Sequence, residues 1–503
     1  MSKEEIIPQD AQLDAANDAA QDVGEAEVRL RKYQAIAERD GVVCKDKFVR
    51  THTIAEAREL PEETEASLCG RITALRWFGK LVFGRLYDAE GSVQFSLSKN
   101  ELDDEAFAFF KANADVGDYV ALRGVIYLTK RGELTLKGYD FTLLSKALRP
   151  LPEKFHGITD TDKKFRQRYL DVIMNDETRN TLMMRIKMLR FIRDHLNGAG
   201  FLEVETPILQ NVASGAAARP FITKHNALDA EFYLRIAPEL FLKQVIACGF
   251  DKVYELGKNF RNEGMDAMHL QEFTMLEWYA SYWDFNDNIA FVTKMIQAIL
   301  LELRGTLQIE YQGQPLDFSE FRVVNYIDEL NQALETDILS YENAKDLADH
   351  IVAKGIFSAE EMKDLKSLPA VVDYAFKRKL RPSLVQPTVM VNYPAFLIPL
   401  ARRSDENPKA IDMFQVVVCG AEIVKAYSEL IDPILQRAAF EEQARNKSAG
   451  DDEAFDVDEA FLLAMEHGMP PMSGLGFGID RFMSIAADQP TLRDVVFFPQ
   501  MKA

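Results

Sequence analysis

The segment Gly474-Leu-Gly476-Phe-Gly478-Ile-Asp480-Arg481 places a glycine at every second position and then runs into a helical pattern. Side chains on a strand alternate between faces, so these glycines leave one face bare. A flat ligand can lie against such a backbone, and Arg481, opening the helix, is placed to reach a polyphosphate. Upstream, Val253–Phe260 reads as a strand, followed by Arg261-Asn262-Glu263-Gly264, His269 and a second strand from Gln271 to Tyr279. Arg261 and Glu263, two apart on an extended chain, share a face. The guanidinium suits a phosphate or carboxylate, Glu263 suits the donors of a base or ribose, and His269 and Phe273 can sandwich a nucleobase. Arg-x-Glu alone reads more simply as a surface ion pair over a core Phe. Its combination with G-x-G-x-D-R, and with the strand Phe201-Leu-Glu-Val-Glu-Thr-Pro207 after Gly200, is far more specific.

Composition bounds the rest. The 503 residues are 47% hydrophobic, enough for two to four domains at ~100–200 residues each. No apolar run approaches the ~18 residues of a membrane span, and the N-terminus lacks a basic-then-apolar leader pattern. Cys44, Cys69, Cys248 and Cys419 are scattered without a C-x-x-C pair, which argues against disulfides or zinc and fits a reducing cytoplasm. Lys+Arg number 59 against 79 Asp+Glu, a net charge of −20, which alone steers away from nucleic acid. Residues 1–27 carry one Lys and eight acids, an acidic tail expected to be disordered. In a helical extension over 28–62, Leu30, Tyr33, Ile36 and Ala37 form a stripe. Arg29, Arg31 and Lys32 beside it suit either nucleic-acid phosphates or plain solvation.

Residues 63–146 read as β: Ser67–Arg76, Lys80–Asp88, Ser92–Ser98, Tyr119–Tyr127 and Leu134–Leu143. Short strands over such a span suit a small closed barrel, most simply an OB-fold, which binds single-stranded nucleic acid on aromatic and polar side chains. Phe83, Gln94, Phe95 and Glu133 are the candidates, each Phe being open to a core or a stacking role. A proline-punctuated linker, 147–179, starts around Lys146–Gly157. The remainder, 180–503, holds a long helix from about Glu177 to Leu196, a helix-rich stretch over about 284–380 and a strand-rich end. The expected class is α+β multidomain.

The segments around Gly200–Pro207, Phe260–Gly264 and Gly474–Arg481 resemble motifs 1, 2 and 3 of the class II aminoacyl-tRNA synthetases. From about residue 63 onward the chain is similar to the bacterial-type class II lysyl-tRNA synthetases, through Phe165–Asp171, Ala218–Thr223, Leu234–Leu240 and Tyr427–Leu430 as well. The resemblance implies an N-terminal OB-fold β-barrel, and a catalytic core made of an antiparallel β-sheet flanked by helices. It further implies a cytoplasmic homodimer formed through Gly200–Pro207, using L-lysine, ATP, Mg2+ and tRNA(Lys). Arg261 would hold the ATP α-phosphate and the lysine carboxylate, and Arg481 the γ-phosphate. Glu263 and Phe273 would take the adenine, and His269 would lie by the phosphates. Glu277 and Glu429 would receive the ε-ammonium beside Tyr279 and Tyr427, with Glu239 and Gly215 around the α-amino group. Phe83, Gln94 and Glu133 would read the anticodon.

The chain also departs from that family. Of the usual two glutamates near the phosphates only Glu422 is kept, the other position being Gln415, and the usual Asn facing the substrate is Lys425. Val424 and Ala426 replace frequent glycines, Ser214-Gly215-Ala216-Ala217 replaces Gly-Gly-Ala-Ser, and Phe396–Leu400 replaces Glu-x-Ser-Pro-Leu. Gln415 and Lys425 together shift the local charge by +2. Lys425 is expected either to stand in for a magnesium ion, to pair with the substrate carboxylate, or to face solvent while Gln415 ligates magnesium through its amide oxygen. A shortened paralog that modifies an elongation factor would lack the barrel. A catalytically altered paralog that binds tRNA or regulates is the remaining alternative.

Overall fold

The computed structural model describes residues 9–152, 158, 160–212, 215–216, 218–398, 401–448 and 457–502. The chain divides into two compact units, Met1–Thr159 and Asp160–Ala503. In the first, strands β1 (Glu65–Phe78), β2 (Leu81–Asp88), β3 (Gly91–Ser98), β4 (Tyr119–Leu128) and β5 (Leu134–Ser145) close a barrel in the order β1-β2-β3-β5-β4. Alternation along β2 sends Val82 and Leu86 into the core and Phe83 and Arg85 outward. The Phe95 ring is fully buried and lies where a side chain at Gly84 would have to sit. Phe95 is therefore core.

A helix spans Gln9–Asp40 and so begins well before Val28. Ala, Gln and Glu in the acidic stretch are good helix formers, a preference that the charge count alone does not register. Its inward face differs from the expected stripe, because Leu30 is exposed and Arg29 is buried. Arg29 donates from Nη1 to the carbonyls of Val116 (2.9 Å) and Ala147 (3.3 Å). Lys32 pairs with Asp115 at 2.7 Å, and buried Lys146 joins Asp115 (2.5 Å) and Asp118 (2.9 Å). Two of the three basic side chains considered for nucleic acid thus fasten the helix to the barrel. Arg29→Ala should lower the unfolding free energy of this unit by about 1–3 kcal/mol, leaving the half-buried carbonyls of Val116 and Ala147 without this donor. Exposed Arg31→Ala should leave urea melts unchanged.

In the second unit the strands, in chain order, are β6 (Leu202–Glu203), β7 (Leu209–Gln210), β8 (Ile222–His225), β9 (Ala230–Leu234), β10 (Lys252–Phe260) and β11 (Glu272–Ser281). Then follow β12 (Gln308–Tyr311), β13 (Gln314–Asp317), β14 (Arg322–Asn325), β15 (Thr388–Pro394), β16 (Ala410–Val418), β17 (Ala421–Ser428) and β18 (Met472–Gly478). The main sheet has the order β14-β15-β16-β17-β18-β11-β10-β6. It is antiparallel through the middle, but the outermost pairs, β10–β6 and β14–β15, run parallel, so the sheet is mixed. The strand expected over Phe201–Pro207 shrinks to Leu202–Glu203, since Pro207 and the exposed side chains leave little to pair. Likewise the helix-rich stretch holds the hairpin β12–β13 and the edge strand β14.

Alternation along β11 decides where the site lies. Leu276, Trp278 and Ala280 face a core shared with the helices Asp176–Gly198 and Phe285–Arg304. Met275, Glu277 and Tyr279 face the other side, where the helix Glu239–Ala247 packs through Leu242 and Ile246.

Candidate active site

On that second side a cavity of about 440 Å³ opens between β11, β17, β18, the Glu239–Ala247 helix and the Pro433–Ser448 helix. Its lining includes Gly215, Glu239, Arg261, Glu263, His269, Phe273, Glu277, Tyr279, Glu422, Lys425, Tyr427, Glu429 and Arg481. The residues expected around an amino acid and a nucleotide therefore converge on one space.

One end is acidic. Glu277 is buried, and it makes no hydrogen bond or ion pair among the described residues. Burial pushes its carboxyl up to about 8, Glu239 adds to the rise, and Arg261 and Arg235 oppose it. Glu429 is also buried, with Lys243 Nζ 2.5 Å from its Oε2 and Gly474 against its Oε1. Burial raises it to about 7 against the pull of Lys243. The Tyr427 hydroxyl donates to Glu239 at 3.2 Å. Gly215, with φ +90°, lies against Glu239, where a Cβ would stand 3.2 Å from the Glu239 Cβ.

Glycine spacing on β18 is legible in this geometry, although its purpose is divided. Registers pair Tyr279 with Gly474 and Glu277 with Gly476. A Cβ on Gly474 would collide with the Tyr279 ring and with Glu429 Oε1, so this glycine makes room for the protein's own side chains. At Gly476 and Gly478 the nearest atoms would be 3.8 Å and 3.6 Å away, which leaves an open floor for a ligand. Gly474→Ala should raise the KM for the amino acid at least ~10-fold and destabilise the unit by about 1–3 kcal/mol, as overpacking does. Gly476→Ala should leave the melting curve unchanged and weaken only the ligand.

The other end is cationic. Arg261 lies over the Phe273 ring, 5.1 Å from its centroid, and its buried Nε has no acceptor. Burial pulls its pKa below the usual arginine value, against the charges of Glu263 and Glu277. Arg481 Nη1 donates to the Glu422 carbonyl at 3.0 Å. Just before it, buried Asp480 accepts from the Thr274 N–H (2.8 Å) and pairs with Arg185 (2.6 Å). His269 is exposed and hydrogen-bonded to Asp266 at 2.8 Å, while Glu263 is exposed.

Gln415 lies across β16–β17 from Lys425. Its Nε2 donates to Glu422 Oε2 at 2.5 Å and its Oε1 accepts from the Tyr393 hydroxyl at 2.7 Å. Lys425 lines the cavity opposite Gly476 and has no ion pair among the described residues. Leu397, Ile398 and Ala401 add an apolar wall beside it. Ser214, Ala217, Pro399 and Leu400 lie outside the described residues.

Sequence reasoning missed Lys243 and the Arg185–Asp480 brace. Lys243 stands four residues after Glu239 on a helix, a spacing that brings the two side chains together and was readable. Arg185 and Asp480 are 295 residues apart, and no local signal joins them.

In the barrel unit, Phe83 is half-buried on the outer face, edge-on to the exposed Phe78 at 6.1 Å. Gln94, in register with Arg85, donates to Thr135 at 2.8 Å, and Glu133 is paired with Arg85 at 2.6 Å. These side chains share one outer patch, and Arg85 belongs to it although the sequence did not single it out.

An OB-fold followed by a sheet that carries a glycine-floored, arginine-clamped cavity defines a class II tRNA synthetase. Residues 160–502 match the family described as tRNA synthetases class II (D, K and N), and residues 66–144 match the OB-fold nucleic acid binding domain. The lysine–tRNA ligase of Aquifex aeolicus (strain VF5) is 43% identical over 447 residues, covering 88% of this chain and 74% of that protein. The lysine–tRNA ligase of Staphylococcus aureus (strain MRSA252) is 41% identical over 451 residues, covering 89% and 90%. Within the class II synthetases, this chain belongs to the lysine–tRNA ligase family.

Proposed function

We propose that this chain activates L-lysine with ATP to lysyl-adenylate and transfers the lysyl group to the 3′ end of tRNA(Lys). One observation carries the reading. In a single cavity, two buried carboxylates, Glu277 with no partner among the described residues and Glu429 held by Lys243, share the lining with an arginine whose buried Nε lacks an acceptor. A long-stemmed ammonium satisfies the first end, since buried carboxylates need a charged partner. A carboxylate beside a phosphate satisfies the second.

In this reading Glu277 and Glu429 hold the ε-ammonium with Tyr279, and Glu239, Gly215 and Tyr427 surround the α-amino group. Arg261 grips the lysine carboxylate and the α-phosphate together, aligning attack and leaving group in line. Arg481 takes the γ-phosphate, Phe273 and Glu263 the adenine, and His269 lies over the phosphates. No side chain acts as nucleophile; the lysine carboxylate attacks and pyrophosphate leaves. Lys425 adds a fixed positive charge, suited to the substrate carboxylate or a phosphate.

A magnesium ion fits this site in part. It is commonly held by one or two carboxylates together with substrate phosphates, and neutralises phosphate charge when bound. Glu422 is suited to that. Gln415 turns its amide nitrogen to Glu422, and its oxygen, which accepts from Tyr393, keeps one lone pair that a cation could take. The exposed Leu202, Ile208 and Leu209 near Gly200–Pro207 support a homodimer through that region.

Lysine-dependent ATP–pyrophosphate exchange tests the reading. Exchange with lysine well above that with the other amino acids is expected. Its absence, with tRNA binding retained, would instead favour a tRNA-binding or regulatory role. For the barrel, Phe83→Ala should raise the tRNA KM by ~10-fold through lost base stacking, with exchange unaffected.

A further inference from the structure

Lys243 is the one cavity-lining residue of the acidic end that a pocket for a cationic side chain would not be expected to contain. Its Nζ donates to Glu239 Oε1 at 2.7 Å and stands 2.5 Å from Glu429 Oε2. The Tyr279 and Tyr427 rings flank it at 5.8 and 5.9 Å. Burial and the neighbouring carboxylates hold both phenols in their protonated form. Burial also works against the charge on Lys243, but Glu239 and Glu429 outweigh it, and its pKa lies above the usual lysine value. The ammonium is permanent.

Charge counting gives this arrangement a meaning. Glu239, Glu277 and Glu429 bring three negative charges and Lys243 one positive, leaving −3 + 1 = −2. Arg235 and Glu255, behind Glu277, pair with each other and cancel. An amino acid with two ammonium groups supplies +2, while its carboxylate goes to the Arg261 end. Without Lys243 the same three carboxylates would face a dication with one negative charge left over, and a buried surplus charge is removed by taking up a proton.

We propose that Lys243 is a built-in counter-ion that sets the pocket's charge to the value one dicationic amino acid neutralises, and is thereby a specificity-determining residue. It remains paired with Glu239 and Glu429 while the ligand ammonium takes Glu277 and shares Glu429, both of which line the cavity. An isostere without the ε-ammonium leaves one of those charges unanswered once Glu277 and Glu429 are ionised and is then rejected, whereas the protonated pocket tolerates it. This rests on lysine being the ligand, so wild-type exchange is measured first. If lysine supports no exchange, the functional reading falls; the tests below apply once it does.

Lys243→Met and Lys243→Gln remove the charge at similar length, and Lys243→Arg keeps it. In exchange assays both neutral variants should raise the lysine KM by ~10- to 100-fold, the worth of a charged hydrogen bond. The competitive Ki of norleucine, which lacks the ε-ammonium, should stay the same or fall, and the ATP KM should not change. The midpoint of lysine KM against pH should move upward by about one unit, and Lys243→Arg should keep the wild-type lysine-to-norleucine ratio. Equal weakening of lysine and norleucine with an unmoved midpoint would mean a packing role only and overturn the proposal, as would loss of the ratio in Lys243→Arg. Wild-type calorimetry needs no variant to fold. At pH 8 in buffers of different ionisation enthalpy, lysine binding should release at most about one proton, because Glu429, beside the counter-ion, is already ionised there and Glu277 is half-ionised. Release of clearly more than one would also overturn it.

Discussion

Arg261→Ala should lower kcat/KM for lysine-dependent pyrophosphate exchange by ~10²–10³-fold, the usual cost of removing one preorganised group that meets developing charge. The side chain is buried and stacked on Phe273, and one of its donors is unused. No ion pair within 4 Å holds Arg261 among the described residues, so the melting curve should change little. Arg261→Lys should recover less than a tenth of the activity, because a point charge cannot bridge a carboxylate and a phosphate as a planar fork does. A fall of less than about tenfold for the alanine variant would remove Arg261 from the reacting centre.

Lysine should bind roughly 10²-fold more tightly at pH 8 than at pH 6. Glu277 and Glu429, raised by burial to about 8 and about 7, are largely protonated at the lower pH. An ammonium pairs with their ionised forms, so binding expels protons below pH 8 and strengthens as pH rises, by up to about a factor of ten per unit for each group. The sign for stability is opposite. A carboxyl raised on folding favours the folded state at low pH and loses that contribution as pH climbs through 7 and 8. The lysine-free protein should therefore lose stability across that window, and the increase in Tm on adding lysine should grow with pH. Calorimetric titrations at pH 6, 7 and 8 measure the first effect and thermal melts the second. A lysine Kd that is flat over this range would mean that neither carboxylate meets the ligand.

The sequence made the chemistry of single segments legible where one local rule governs them. Gly474–Arg481 became a glycine-faced strand entering a helix because alternation and helix initiation are both local. The barrel strands followed for the same reason. Register was harder to foresee. That Gly474 accommodates Tyr279 and Glu429, whereas Gly476 leaves open floor, depends on which residue of β11 lies opposite, which the spacing of one strand does not contain. Arg29 was misread for a related reason. Its position beside an apolar stripe suggests a solvated face, whereas the carbonyls of Val116 and Ala147, with Glu25 one turn earlier, make its burial favourable. The mixed edges of the main sheet depend likewise on contacts from distant parts of the chain.

The Arg185–Asp480 pair couples the long Asp176–Gly198 helix to the residue preceding Arg481, with Thr274 of β11 hydrogen-bonded to both. Arg481 is thus backed by Arg185, a residue outside the cavity lining, through Asp480 and Thr274, which belong to it. A shift of that helix alters the reach of the arginine without changing any residue of the pocket. With Arg481 proposed as the phosphate clamp, a substitution at Arg185 should resemble loss of that clamp while the amino-acid pocket stays intact.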